Sequence, residues 1–215
     1  MKDFLTKNNV APAIDEARLT EVFNQSMSRL EHSLAVFADI NATIDQPSII
    51  SKYLNPFKPA STDNTPHYLF VSEIHGAIPG NSYLMINAKS ANSLMPENFI
   101  NDCEPSIMLE FLKEMDNVLT ASLITVLANE LEIFSYGAPP SVNKMTIGDA
   151  RKWIHQDILR QERDHAMPDQ ITIDLQIQIK GRQINQMSFI WSLFGNFQPS
   201  NASNRITNNI DVAGE

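Results

Sequence analysis

The sequence predicts an α+β domain with two layers. One six-stranded antiparallel sheet should carry two long helices on its apolar face, and a pseudo-two-fold axis should relate the halves of the chain. Three observations predict it. Two segments place apolar residues at three- and four-residue steps, the period of a helix with one buried side. Two pairs of apolar runs follow, each pair interrupted by glycine-bearing turn residues, as in a hairpin. Finally, Glu21, Asn24 and Pro47 are matched by Glu114, Asn117 and Pro140, each 93 residues later, as an internal duplication would require.

The whole chain narrows the function classes. Its 215 residues can bury a sizeable core. A hydrophobic content of 43% with 19% charged residues is that of an ordinary globular protein. Net charge of −9 argues against partners that present phosphate backbones or anionic lipid, so neither nucleic acid nor membrane is expected. Cys103 is the one cysteine, which excludes an intramolecular disulfide and suits a reducing cytoplasm. The start MKDFLTKNNV lacks an apolar signal core, and no apolar run approaches a membrane span.

In chain order, residues 1–14 read as a tail or lead-in strand. Asp15 is the expected N-cap of the first long helix, with Glu16 in its first turn. Leu19, Phe23, Met27, Leu30, Leu34 and Phe37 form the core-facing stripe, which leaves Glu21, Asn24, Ser28 and Glu31 in water. The helix should end near Asn41. SIISKYL after Pro47 reads as a strand, and the proline-rich residues 54–66 as a surface loop. HYLFVSEIH and NSYLMINA form a hairpin, followed by a short helix from Lys89 to Leu94. Asn101 or Asp102 should cap the second long helix, with Pro105 in its first turn.

That helix carries the stripe Met108, Phe111, Leu112, Met115, Leu119, Leu123, Val126, Leu127 and Leu131, and Gly137 is expected to stop it before Pro140. PSVNKMT mirrors the strand after Pro47, and a charged amphipathic helix spans about Ile147 to Arg163. ITIDLQIQIK alternates strictly, with Ile171, Ile173, Leu175, Ile177 and Ile179 on one side; Gly181 turns the chain, and Met187, Phe189, Trp191 and Leu193 return it. The expected organisation is one domain over 15–197, with pseudo-repeats at about 15–100 and 101–197, and a disordered tail over 198–215.

Glu and Asn three residues apart leave a helix about 60° apart, so each couple shares one face. A single Glu-x-x-Asn is a weak signal, because an ordinary solvated helix face explains it. Two copies at one offset are a stronger one. The pattern of Glu-x-x-Asn, 22 residues, then Pro, duplicated on two helices, resembles the CheC/CheX/FliY phosphatases of bacterial chemotaxis. EMDNVLTASLITVLANEL is similar to the second-site helix of a CheC protein. HYLFVSEIHGAIPGNSYLMINAKSANSL resembles the sheet region, with Gly76 and Gly80 around the turn. Two motif copies resemble CheC more than the single-site CheX.

The resemblance implies hydrolysis of the aspartyl phosphate on a CheY-like response regulator. It implies that Glu21 and Glu114 pair with the regulator's active-site lysine, while Asn24 and Asn117 orient the attacking water. No cofactor is implied for this chain; the Mg2+ is expected on the regulator. A CheD-like receptor deamidase is a further implied partner. The chain departs from the family pattern where Asp or Ser commonly precedes the glutamate by four residues: Ala17 and Glu110 stand there. Phe23 and Asp116 stand where a glycine usually precedes the asparagine.

A carboxamide suits the implied chemistry because it offers a donor and an acceptor at fixed geometry. An acyl phosphate is already activated, so placing one water in line is most of what remains. The alternative is a binding module that holds a phosphorylated regulator, or a deamidase, without turnover; a flagellar-switch component is a third reading. His32, His67, His75, His155 and His165 show no metal-ligand spacing. Cys103 reads as a small buried apolar residue.

Overall fold

The computed structural model describes residues 13–45, 48–51, 64–96, 104–164, 169–181 and 186–198. Helix α1 spans Glu16–Ala38, and Asp15 caps it as expected, its Oδ1 accepting from the Ala17 N–H at 2.8 Å. It stops three residues before Asn41, because Asp39 turns left-handed at φ 53° and sends Ile40 into the core. Helix α2 spans Pro105–Glu130 behind Glu104, with Pro105 in the first turn where a missing N–H leaves no gap. Asn101 and Asp102, expected to cap it, lie outside the described residues, as do Pro47, Cys103 and His165. Gly137 does not end α2. Glu132 does so at φ 54°, with the Ile133 N–H returning to the Ala128 carbonyl, and Gly137 belongs to a strand seven residues beyond the helix.

Nine strands follow from the described residues. They are β1 (Ala13–Asp15), β2 (Ala42–Ile44), β3 (Ser48–Ser51), β4 (Pro66–Gly76), β5 (Gly80–Asn87), β6 (Ser135–Gly137), β7 (Ser141–Thr146), β8 (Asp169–Ile179) and β9 (Gln186–Gln198). Eight pair antiparallel, and β1 lies parallel to the end of β9. The expected count of six is corrected here, for a local reason. Both edges are broken: β2 and β3 pair end to end along β8, and β6 and β7 pair end to end along β4. Six positions across the sheet therefore hold eight antiparallel strands.

The order β2/β3, β8, β9, β5, β4, β6/β7 reads the same from both ends when the halves of the chain are exchanged. A pseudo-two-fold axis thus passes between β5 and β9, as expected. Gly80 sits on that seam, where a Cβ would collide with the Ser192 carbonyl of β9. At Gly76 the backbone takes φ 114°, and a side chain would strike the Phe134 carbonyl.

Alternate residues of each strand point to opposite faces. On one face Tyr68, Phe70, Leu84, Ile86, Ile173, Leu175, Phe189 and Trp191 meet Leu19, Phe23, Leu30 and Leu34 of α1 and Leu112, Met115, Leu119 and Leu123 of α2. The alternation in β8 and both helix stripes were legible in the sequence, and they build this core. Helix α3 (Ile147–Asp164) adds a third layer on the other face, through Ala150, Ile154 and Ile158 against Leu69, Val71, Tyr83 and Met85. The expected short helix after β5 is a 3₁₀ turn over Ala91–Leu94.

A buried carboxylate fastens α3. Asp157 is only 4% exposed. Its Oδ2 accepts from Asn81 Nδ2 at 2.8 Å, Tyr83 Oη at 2.9 Å and Gln161 Nε2 at 2.7 Å, while Arg160 pairs with Oδ1. Burial and the adjacent Asp157 push the Tyr83 phenol well above its ordinary range, so it stays a donor. Removing the carboxylate would strand several buried donors at once. Asp157→Ala is expected to lower unfolding free energy by roughly 3 kcal/mol, read from urea melts at pH 7; a loss under 0.5 kcal/mol would contradict the assignment.

Candidate functional site

The burial of the two stripes determines where the motif residues point. Leu19, Val22, Phe23, Ser26 and Leu30 of α1 are buried, so Glu21 and Asn24 emerge on the outer side. In α2 Leu112, Met115, Asp116, Leu119 and Thr120 are buried, and Glu114 and Asn117 emerge likewise. All four sequence-predicted residues are exposed. Each couple shares a helix face; the structure forms two separate outward couples rather than one cluster. Of the other residues expected in water on α1, Ser28 is exposed, while Glu31 is half-buried because its Oε1 accepts the Ile44 N–H at 2.9 Å.

The helices run antiparallel, since the start of α1 meets the end of α2. Arg18 reaches Glu130 Oε2 at 2.8 Å, and at the opposite end Phe37 stacks on Phe111 with centroids 5.1 Å apart. These two contacts occupy equivalent places: the 93-residue shift carries Arg18 onto Phe111 and Phe37 onto Glu130. The Ser33 and Ser122 hydroxyls join the helices between them at 2.8 Å.

The surroundings of the two couples differ. Glu21 Oε2 accepts from Arg18 at 2.8 Å, and its Oε1 accepts from Gln25 Nε2 at 3.4 Å. The bonds to Glu21 and Glu130 hold the Arg18 guanidinium more firmly protonated than usual. Beside Glu114, Lys113 pairs with Glu110 at 2.6 Å, and among the described residues neither the Glu114 nor the Asn117 side chain makes a hydrogen bond or ion pair. Beside Asn117, Val118 joins His32, Ser33, Val36 and Phe37 around a shallow depression of about 460 Å³. His75 pairs with Glu73 at 3.5 Å and His67 with the Thr65 carbonyl at 3.0 Å, and no group of three or more metal-ligating side chains occurs among the described residues.

Asp116, immediately before Asn117, lies outside the apolar stripe read from the sequence, yet it is buried. Its place was legible all the same, because the shift that matches Asn24 to Asn117 matches stripe residue Phe23 to Asp116. Both are fully buried. Phe23 packs edge-on against Trp191, whereas Asp116 accepts a bond from Ser72 Oγ at 2.7 Å, and its Oδ1 has no partner among the described residues. Ser82 Oγ and Thr120 Oγ1, 3.1 Å apart, continue this polar seam.

Neither a family model nor a curated protein matches the chain. Solved structures do. The chain is similar to Thermotoga maritima FliY at 14% identity and TM-score 0.52, covering 90% of this chain and 93% of that one. The chain has the CheC/CheX/FliY fold. A CheX from Desulfovibrio desulfuricans aligns at 15% identity and TM-score 0.50, over 80% of this chain and 99% of that one. The CheX of a Borrelia burgdorferi CheX–CheY–BeF3–Mg2+ complex aligns at 9% identity and TM-score 0.50, over 80% and 97%. No described helix of this CheC-like fold is long and apolar enough to cross a membrane.

Burial raises the Asp116 carboxyl from 3.8 to about 7, with the Ser72 hydroxyl pulling the other way. Below 3.8 it is protonated in folded and unfolded chains alike, so ionisation carries no penalty. As pH rises towards 7 the unfolded chain ionises alone, and the fold loses roughly 4 kcal/mol of relative stability, a gap constant at higher pH. Asp116→Asn removes this slope. Wild-type stability measured against that variant should fall between about pH 4 and 7 and then level off. Parallel stability curves across that range would contradict the burial argument.

Proposed function

We propose that this chain is a cytoplasmic phosphatase of chemotaxis signalling that hydrolyses the aspartyl phosphate of a CheY-like response regulator. One observation carries the reading: Glu114 and Asn117 stand side by side on the outer face of a rigid helix, unengaged by the rest of the described chain. Polar groups held outward on a fixed element are free to act on another molecule. The likeness to a CheX found in complex with CheY, BeF3 and Mg2+ supports the choice of partner, since beryllofluoride bound to an aspartate stands in for a phosphoryl group. The matched contacts at the two ends of the helix pair support descent of the halves from one duplicated unit.

In this reading Glu114 docks against the regulator's active-site lysine and fixes register more than affinity. Asn117 enters the regulator's pocket, where its carboxamide holds a water in line with phosphorus. The water oxygen bonds to phosphorus, the bond to the aspartyl oxygen breaks, and the aspartate leaves as a carboxylate. The water's protons pass to the phosphate product and to solvent. The Mg2+ belongs to the regulator and neutralises charge on the transferring group. Glu21 and Asn24 offer the same pair of groups on α1.

A second reading makes the chain an adaptor that binds a phosphorylated regulator, or a CheD-like deamidase, without turnover. The departures at Asp116 and Glu110 favour it. Turnover separates the two: many phosphates released per chain support the enzyme, whereas stoichiometric capture that slows decay supports the adaptor.

Losing a single positioning group costs roughly 2–4 kcal/mol in a transition state. Asn117→Ala is therefore expected to slow phosphate release from a phosphorylated receiver domain by at least about thirtyfold, with binding of that domain nearly unchanged. A rate within twofold of wild type would remove Asn117 from the mechanism.

A further inference from the structure

We infer that Arg18 closes the α1 site, so that this duplicated chain engages one receiver domain at a time, through Glu114 and Asn117. The inference rests on the phosphatase reading above and adds its stoichiometry. A docking carboxylate must offer its oxygens to the partner's ammonium. Glu114 has both to offer. Both Glu21 oxygens already have a donor, Arg18 on Oε2 at 2.8 Å and Gln25 on Oε1 at 3.4 Å, so a partner's ammonium must compete for them.

The competing cation is itself anchored. Arg18 bridges to Glu130 Oε2 at 2.8 Å across the helix pair, so its guanidinium stays beside Glu21 even if a partner draws the carboxylate away. A partner lysine approaching Glu21 thus meets a fixed positive charge. The duplicated sites are opposed at this position, because the residue equivalent to Arg18 is Phe111, whose ring is occupied by Phe37.

The flanks differ in the same sense. Val118, next to Asn117 in the chain, lines a depression with Val36, which is 72% exposed, so an apolar side chain of the partner has somewhere to lie. The equivalent places beside Asn24 are Gln25 and Asn129, both polar and exposed. An exposed ion pair adds little to folding stability. Its effect here is on access, and Arg18 can be changed without threatening the core.

The test counts receiver domains bound per full-length chain by native mass spectrometry and calorimetry. The probe is a CheY-like receiver domain activated with beryllofluoride and Mg2+. One per chain is expected for wild type, bound more weakly by Glu114→Ala and with unchanged affinity by Glu21→Ala. Arg18→Gln should raise the count to two. In an Asn117→Ala background, Arg18→Gln should raise residual phosphate release by about tenfold, and adding Asn24→Ala should remove that gain. Two domains on wild type, or a single domain on folded Arg18→Gln, overturns the inference while leaving the phosphatase reading in place. No binding to wild type overturns both.

Discussion

Everything in this fold depends on one constraint: two helices of 23 and 26 residues must press their apolar stripes onto the same sheet face. At roughly 25 cal/mol per Å² of apolar surface removed from water, stripes that long dominate any preference of the polar residues between them. The helices therefore have little rotational freedom. With Phe23 against Trp191 and Met115 in the core, Glu21, Asn24, Glu114 and Asn117 have only the outward direction left. The outward placement of the motif is a consequence of packing rather than of any interaction the motif makes.

The same constraint makes the two-fold arrangement visible in contacts as well as topology. A guanidinium–carboxylate pair and a stacked pair of phenyl rings have nothing chemically in common. They nonetheless join equivalent places at the two ends of the helix pair. What differs is the character of each surface. One is charged and self-satisfied; the other is apolar and open.

Legibility divided along physical lines. Period-three-and-four stripes and the strict alternation of β8 could be read because each reports burial of one face. The sheet positions could be read because each half of the chain supplies edge segments and a hairpin in the same order. The strand count could not, since two short edge segments share one neighbour end to end, β2 and β3 along β8 and β6 and β7 along β4. The end of α2 is not legible from Gly137, because Glu132, a residue that rarely adopts it, takes the left-handed turn instead. Asp157 lies in a helix that reads as charged and solvated, and only tertiary structure reveals the donors Asn81 and Tyr83 beneath it. Outward orientation of the candidate site was fully legible. The ion pair that separates its two copies was half legible: Arg18 and Glu21 are one helical turn apart, but Glu130 reaches them only through the fold.

The proposed site would follow from packing alone, and that has a simple signature. Its residues should meet the partner with the helices left as they are. The most direct measurement is backbone amide shift mapping of the isotope-labelled full chain, titrated with a beryllofluoride-activated CheY-like receiver domain. The account predicts perturbations gathered on α2 around Glu114 to Val118 and on the adjoining end of α1 around His32 to Phe37, with α3 and β8 silent. Perturbations centred on α3 or on the β4 and β6 edge, with the outer face of the helix pair unmoved, would contradict it.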